Sequence, residues 1–443
     1  MEKKPCSAVG EWTLQPLQCK VFLIDTQPEL VSDQWRECYI YRVPKQLRKV
    51  NEEAYTPKLV SIGPFHNGRK ELSDMEIQKV IYWKKFCIRA GKSQKDLTSL
   101  IEPNKEKITR CYSETFEVTE AFVEMILLDA IFIIELFLRY SENPEDKNDY
   151  ILSKPWRRSK IVEDLMLLEN QLPYYVLIEL YESASNDTPF LDLACKYLGL
   201  NIENEREKDP LHFVDLDRTY YLPQHLKPTN NNIGLPPSAT KLEKAGVRFK
   251  PFCGRGLLDI QFMKNKCLKS CPFLNCFWYL NCLPCLKCSK CLKRIQPLLK
   301  VPLFTVDDQT EHIFRNFMAF EQCHYPWESY ICNYVLLLGC LLNKEEDVDL
   351  LVEKKVIVNG LGSNAEVMTL INKLGYEIME VKSCYSDLAQ QLNDHCGNYW
   401  NRNMSLLTTA YFPDIWRGTA SFVGLIALGL LFWNFLRAFV MKV

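Results

Sequence analysis

The sequence predicts a mainly α-helical protein with a small antiparallel β portion, an α+β fold, that ends in a single C-terminal transmembrane helix. Three observations predict this: helical spacing of apolar residues along most of the chain, short β-like runs in its second half, and an uncharged apolar stretch near its end. We expect a loosely ordered leader over 1–37, one mostly helical domain over 38–415, a transmembrane anchor over 416–437 and a short tail over 438–443.

The strongest helical signal is "AFVEMILLDAIFIIELFL", from Ala121 to Leu138. It is long enough to suggest a membrane span, but it carries Glu124, Asp129 and Glu135. Each central acid costs about 2.5–3.5 kcal/mol on insertion, against roughly 0.3–0.6 gained per apolar residue. We therefore predict a buried helix of the domain, with Glu135 and Arg139 forming an i,i+4 ion pair.

The β portion is predicted from the turn-rich region after Asn201. Short runs there, "VRFK", "LLDIQF" and "VPLFTV", have the length and composition of β-strands bounded by turn residues. Together they predict a small sheet.

The C-terminal stretch "GTASFVGLIALGLLFWNFL", from Gly418 to Leu436, contains no charged residue. As a helix it would cross a hydrocarbon core of about 30 Å. Trp416 and Trp433 lie near its ends, as interfacial aromatic residues do. The sequence thus predicts a single-pass protein of the plasma membrane or an endomembrane.

The N-terminus lacks the apolar core of a secretory signal, so we expect the large domain to face the cytosol. Two glycosylation sequons, at Asn186 and Asn403, leave the opposite topology open.

No sequence motif indicates an enzyme. The net charge of −1 gives no overall attraction to nucleic acid, and glycine, at 17 of 443 residues, is scarce. The chain contains no HExxH, GxSxG or P-loop pattern. We predict no catalytic residue and no cofactor.

One glycine pair imitates a dinucleotide fingerprint: Gly360-x-Gly362-x-x-Ala365, with Glu380 about 20 residues after the first glycine. We favour a structural interpretation, in which Gly360 ends one helix and a capping box, Ser363 with Glu366, begins the next.

The most unusual feature is a Cys-rich, basic segment at about 264–300. Seven of the 19 cysteines fall within it: Cys267, Cys271, Cys276, Cys282, Cys285, Cys288 and Cys291. The last four repeat every third residue and are candidate thiolate ligands for zinc or an iron–sulfur cluster. Disulfides are a second interpretation and would need an oxidising compartment.

A third interpretation, which we favour, treats all seven cysteines as candidate lipid or membrane contacts. The segment carries basic residues and no acid, namely Lys264, Lys266, Lys269, Lys287, Lys290, Lys293, Arg294 and Lys300. A cationic segment rich in aromatic residues and leucine suits an anionic leaflet, and cysteines there are candidates for S-acylation.

Four blocks of the sequence resemble the plant domain-of-unknown-function family 247: "IYRVPKQLRKVNEEAYTPKLVSIGPFHNG" (40–68), "LLENQLPYYVL" (167–177), "PSATKLEKAGVRF" (237–249) and "FRNFMAFEQC" (314–323). The resemblance covers nearly the whole chain from Cys38, and the Cys-rich segment departs from it as an insertion. It implies a plant membrane protein with a C-terminal span and no established enzymatic activity.

Some grass members of that family are associated with pollen self-incompatibility, which makes recognition or signalling plausible for it. We therefore expect a non-catalytic, membrane-anchored interaction or signalling adaptor, whose partners are the lipid bilayer and unidentified proteins. The alternatives are an enzyme with a dispersed active site and a metal-binding module.

Overall fold

A computed structural model describes residues 37–184, 188–200, 209–222, 234–252, 256–264, 296–403 and 415–440, with single positions at 227, 229, 231 and 406. The predicted leader, apart from Glu37, and all seven cysteines of the insertion lie outside the described residues.

The N-terminal part is helical. Its helices are α1 (Lys45–Val50), α2 (Ser73–Ala90), α3 (Gln94–Ile101), α4 (Lys105–Arg110), α5 (Glu120–Glu142), α6 (Pro155–Leu165), α7 (Tyr174–Glu182), α8 (Phe190–Leu198) and α9 (Phe213–Tyr221).

The C-terminal part mixes helices and short strands. In chain order these are α10 (Ala239–Lys244), β1 (Arg248–Phe252), β2 (Gln261–Met263), β3 (Leu298–Pro302), β4 (Phe304–Val306), α11 (Thr310–His324), α12 (Tyr330–Leu341), α13 (Glu345–Glu353), β5 (Ile357–Asn359), α14 (Asn364–Leu374), α15 (Ser386–Gly397) and α16 (Ile415–Val440).

Helix α5 lies at the centre of the N-terminal part, where α2, α3, α7 and α8 pack against it. The Thr119 hydroxyl caps its first turn by accepting from the Phe122 N–H. The prediction of a buried helix is confirmed, and so is its ion pair: Arg139 Nε lies 2.8 Å from Glu135 Oε1.

The strands form two small sheets. Strand β3 lies between β1 and β2, parallel to β1 and antiparallel to β2, and β4 pairs with β5 in parallel. The predicted antiparallel character is therefore right only for β2 with β3. Helices α11, α12 and α13 connect β4 to β5, and a connection of that length permits a parallel pair.

The Cys-rich insertion joins β2 to β3. Met263 pairs with Leu298 in the antiparallel ladder, so the two ends of the insertion are neighbours. The chain therefore leaves β2 and enters β3 at adjacent positions of one antiparallel ladder.

The apolar C-terminal segment forms α16. Yet no helix in the described part of the chain is both long and apolar enough to cross a membrane. The predicted single C-terminal transmembrane helix and the single-pass membrane localisation are therefore wrong.

Two hydrophobic clusters form the core. One is built mainly from the helices before residue 217, and the other mainly from β1–β5, α10–α15 and residues of α1. We call the buried polar residues between and beside them the polar seam: Asp164, Glu169, Asn170, Gln171 and Asn316.

The polar seam bonds to a backbone segment without regular secondary structure, residues 58–63, which is exposed at Lys58 and buried from Val60 onward. The N–H groups of Lys58, Leu59 and Val60 all donate to the Asp164 carboxylate, at 2.7–2.9 Å. The Ile62 N–H donates to Asn170 Oδ1 at 2.6 Å. Buried backbone groups need hydrogen-bond partners. Here side chains provide the partners that a neighbouring strand would provide in a sheet.

Glu169 joins the seam to the basic residues of the N-terminal segment. Its fully buried carboxylate accepts hydrogen bonds from Arg42, Arg48 and the Val43 N–H, and His66 Nε2 lies 3.2 Å away. Burial alone would raise the pKa of this carboxyl, but its basic neighbours and the backbone donor lower it to about 2.

Glu169→Ala is expected to destabilise the fold by about 1–3 kcal/mol, because it leaves the buried Val43 N–H without an acceptor and the partly buried Arg48 without this counterion. Urea unfolding measures the loss. Glu114→Ala is the control, since it removes an exposed partner of Arg42 and should cost less than about 1 kcal/mol.

Because the folded pKa of Glu169 lies below its ordinary 4.5, the native protein should lose this contribution as the pH falls from about 4.5 towards 2, and Glu169→Gln should not show that loss. Equal costs for Glu169→Ala and Glu114→Ala would contradict this role.

Gly63→Ala is expected to destabilise the fold more than Gly68→Ala. Both glycines have positive φ, 72° and 78°, but a Cβ at Gly63 would lie 2.6 Å from the Gln171 carbonyl oxygen, whereas Gly68 faces open space. Both variants carry the backbone strain, and the close contact should add about 1–3 kcal/mol at Gly63 alone. Thermal and urea unfolding of the pair measure the difference, and identical stabilities would show that the contact relaxes freely.

Candidate functional site

An open groove of about 1040 Å³ lies where the C-terminal ends of four helices meet. Ala245 follows α10, Asn343 lies just after α12, Gly375 follows α14, and Gly397 ends α15. These ends bring residues of four separate helices to one surface. Carbonyl groups at these ends already have partners: Ala245 O bonds to His395 Nε2, Asn372 O to the Gly375 N–H, and His395 O to Asn401 Nδ2.

The groove is lined by an extended segment, by the four helix ends and by residues after α15. The lining residues are Leu235, Pro236, Pro237, Ser238, Lys241, Ala245, Val335, Leu336, Gly339, Cys340, Asn343, Ile371, Asn372, Gly375, Tyr376, Asn393, Cys396, Gly397, Arg402 and Leu406.

The charged side chains described in this lining are all basic. Lys241 and Arg402 are basic, and the described lining residues include no Asp or Glu. Asn343, Asn372 and Asn393 add amides that can both donate and accept. The groove therefore suits a ligand with carboxylates and with N–H groups of its own.

Two thiols line the groove, Cys340 and Cys396. Burial raises the pKa of both, to about 11 for Cys396 even with Lys241 nearby. Because the thiolate is the reactive form, both are weak nucleophiles at neutral pH.

His395, which precedes the lining residue Cys396, connects two of the segments that form the groove. Its Nε2 lies 3.0 Å from the Ala245 carbonyl oxygen, and Asn401 Nδ2 lies 3.2 Å from its Nδ1. Burial lowers its pKa to about 4, so the ring is neutral. Both ring nitrogens are engaged: Nε2 joins α15 to the end of α10, and Nδ1 joins it to the residues that follow α15.

His212 is engaged in the same way elsewhere in the core. Its Nδ1 accepts from the Asp215 N–H, and its Nε2 lies 3.1 Å from the Tyr39 carbonyl oxygen. Burial lowers its pKa to about 4. A neutral imidazole with both nitrogens bonded is a structural element rather than a free acid or base.

Two buried acids away from the groove are ion-paired. Lys79 Nζ lies 2.6 Å from Asp129 Oδ1, and Arg218 Nε lies 2.9 Å from Glu321 Oε1. Among the described residues no group of three or more His, Cys, Asp or Glu side chains could hold a metal ion.

The predicted metal candidates, Cys282, Cys285, Cys288 and Cys291, lie outside the described residues, as do Cys267, Cys271 and Cys276. Both the metal interpretation and the lipid-contact interpretation therefore stay predictions.

The glycine pair at 360–362 does not form a phosphate site. The Gly362 N–H donates to Glu366 Oε2 at 3.3 Å, so a carboxylate already occupies the N-terminus of α14. The capping role of Ser363 is confirmed, because its hydroxyl accepts from the Glu366 N–H. The expectation that Gly360 ends a helix is wrong: it follows β5, and a Cβ there would lie 3.0 Å from the Val306 carbonyl oxygen of β4.

Sequence reasoning missed the groove entirely. Its residues come from separated segments between 235 and 406, and although some lie in the block 237–249, none belongs to a recognisable catalytic or ligand-binding motif. Only the packing of four helices brings them together.

Comparison with known proteins identifies the family. The family model described as plant protein of unknown function, DUF247, matches residues 40–430. The chain belongs to the DUF247 family. Two curated Arabidopsis thaliana proteins are similar to this DUF247 chain. UPF0481 protein At3g47200 is 28% identical over 86% of the chain and 81% of its own length. Putative UPF0481 protein At3g02645 is 22% identical over 90% of the chain and 91% of its own length. No solved structure matches.

The four blocks that carry the DUF247 resemblance have distinct positions in the fold. Blocks 40–68, 167–177 and 314–323 meet at the polar seam, where Asn316 accepts from the Leu168 N–H and donates to the Ala54 carbonyl. Block 237–249 borders the groove and supplies Lys241.

Cys396 is expected to react with iodoacetamide at pH 7.5 on the order of a hundredfold more slowly in the folded protein than in urea. The reason is its pKa near 11, against about 8.5 for an ordinary thiol. Peptide mass spectrometry after timed quenching measures the rate, and the same peptide from the unfolded chain is the control. Equal rates in the two states would show an activated, accessible thiol.

Proposed function

We propose that this DUF247 protein is a non-catalytic recognition protein that binds an acidic, extended segment of a partner protein in the groove. The observation that carries the proposal is the lining itself: two basic side chains, three asparagine amides and no acid among the described lining residues.

The geometry favours a peptide over a compact metabolite. The groove is open and, at about 1040 Å³, lies at the upper end of the range for small-molecule sites. The amide oxygens of Asn343, Asn372 and Asn393 can accept from the N–H groups of an extended chain. Lys241 and Arg402 can then form charge-assisted hydrogen bonds with its Asp or Glu side chains.

The side chains in and below the groove support a binding role. Cys340 and Cys396 are held as thiols, and His395 is neutral with both nitrogens engaged. Recognition by such a site needs only complementary charge and shape, which agrees with the adaptor role expected from the sequence.

The test selects peptides from a random library on the full chain and measures their binding by fluorescence polarisation. We expect the selected peptides to be rich in Asp and Glu and to bind at least tenfold more weakly to a Lys241→Glu, Arg402→Glu double variant. Lys244→Glu is the matched control, because Lys244 is an exposed lysine of the same helix outside the groove.

Three results would contradict the proposal. The first is selection of peptides without acidic residues, and the second is equal weakening by Lys244→Glu. The third is turnover of a metabolite that stops on substitution of a groove residue, which would favour the enzyme alternative.

A further inference from the structure

Helix α2 is apolar on two opposite faces. Its inner face, with Met75, Tyr82 and Phe86, is buried against α5 and its neighbours. Its outer face exposes Ile77 by 64% and Ile88 by 82%. A surface helix normally presents polar residues on the side away from the core.

The outer face has the spacing of a coiled-coil seam. Asp74, Ile77, Ile81, Lys84 and Ile88 follow one another at alternating steps of three and four, and each of them is exposed. This is the a/d pattern by which one helix packs along another.

We propose that this seam docks against the same seam of a second copy of the chain, as an antiparallel α2–α2 pair about a two-fold axis. The two-fold axis passes midway between Ile77 and Ile81. Ile77 of each copy therefore faces Ile81 of the other copy. One layer further out, Asp74 faces Lys84 of the second copy. A two-fold interface requires this reciprocity.

Charge selects the antiparallel pairing over the parallel one. A parallel pair would place Asp74 against Asp74 and Lys84 against Lys84, and facing like charges are destabilising. In the antiparallel register the flanking positions are also compatible: the two-fold axis places Val80, which is 42% exposed, beside Val80 of the second copy, and Gln78 beside Gln78.

The inner contacts make α2 a firm platform for docking. Lys79, on the buried face, bonds to Glu76 Oε1 and to Asp129 Oδ1 of α5, both at 2.6 Å. A seam on one helix buries less area than a standard interface, so the dimer should be weak and its formation concentration-dependent.

The test is sedimentation velocity of the full chain over a wide concentration range. The wild type should shift from monomer to dimer as its concentration rises. Asp74→Lys and Lys84→Asp should each raise the dimer dissociation constant at least tenfold, because each places like charges in the outer layers.

Charge exchange distinguishes the proposed register from a loose apolar contact. A 1:1 mixture of the Asp74→Lys and Lys84→Asp chains should dimerise again, because both outer layers of the mixed pair then join opposite charges. The Asp74→Lys, Lys84→Asp double variant should also self-associate as the wild type does.

Two further variants complete the design. Ile81→Glu should abolish the dimer, whereas Met379→Glu, at a residue 69% exposed outside the seam, should leave it unchanged. The thermal unfolding midpoint of each variant, measured below the dimer concentration, should match that of the wild type, since the changed side chains face outward.

Two results would overturn the inference. One is a wild type that stays monomeric at every concentration. The other is a dimer that survives both single charge variants or that the 1:1 mixture fails to restore.

Discussion

The rest of the structure depends on a backbone segment that is buried without belonging to a helix or a sheet. Residues 60–63 lie inside the protein, and side chains accept from five of the six N–H groups of residues 58–63. Asp164 and Asn170 accept from its N–H groups, Asp129 accepts from the Gly63 N–H, and Lys79 donates to the Ser61 carbonyl. An unpaired buried backbone group is costly, so this segment requires its polar partners.

The polar seam also connects the two hydrophobic clusters. Asn316, on α11, bonds to the Leu168 N–H and the Ala54 carbonyl, and so ties the C-terminal cluster to the segment that precedes α7. Gln171 bonds to the Leu165 and Leu167 carbonyls and to the Phe213 N–H. Because these groups have specific directions, they fix how the two clusters meet, which apolar contacts alone do only loosely.

The structure thus separates polar groups that hold the fold from those that face outward. The acids and amides of the polar seam, His212 and His395 have their hydrogen bonds within the protein. The groove and the outer face of α2 instead present charges and apolar side chains to solvent. Both surfaces are suited to recognition, one of an acidic segment and one of a second chain, and they involve different residues.

The sequence by itself determined the mainly helical class, the buried α5 with its Glu135–Arg139 pair, the existence of short strands and the membership of a plant family. These follow from the local periodicity of apolar residues and from the four family blocks, both of which are visible in the sequence alone. Tertiary structure alone decided that two of the three described strand pairings are parallel and that four helix ends form a groove. The physical reason is that these properties depend on how distant segments pack, and no local pattern of residues specifies which helix ends will meet.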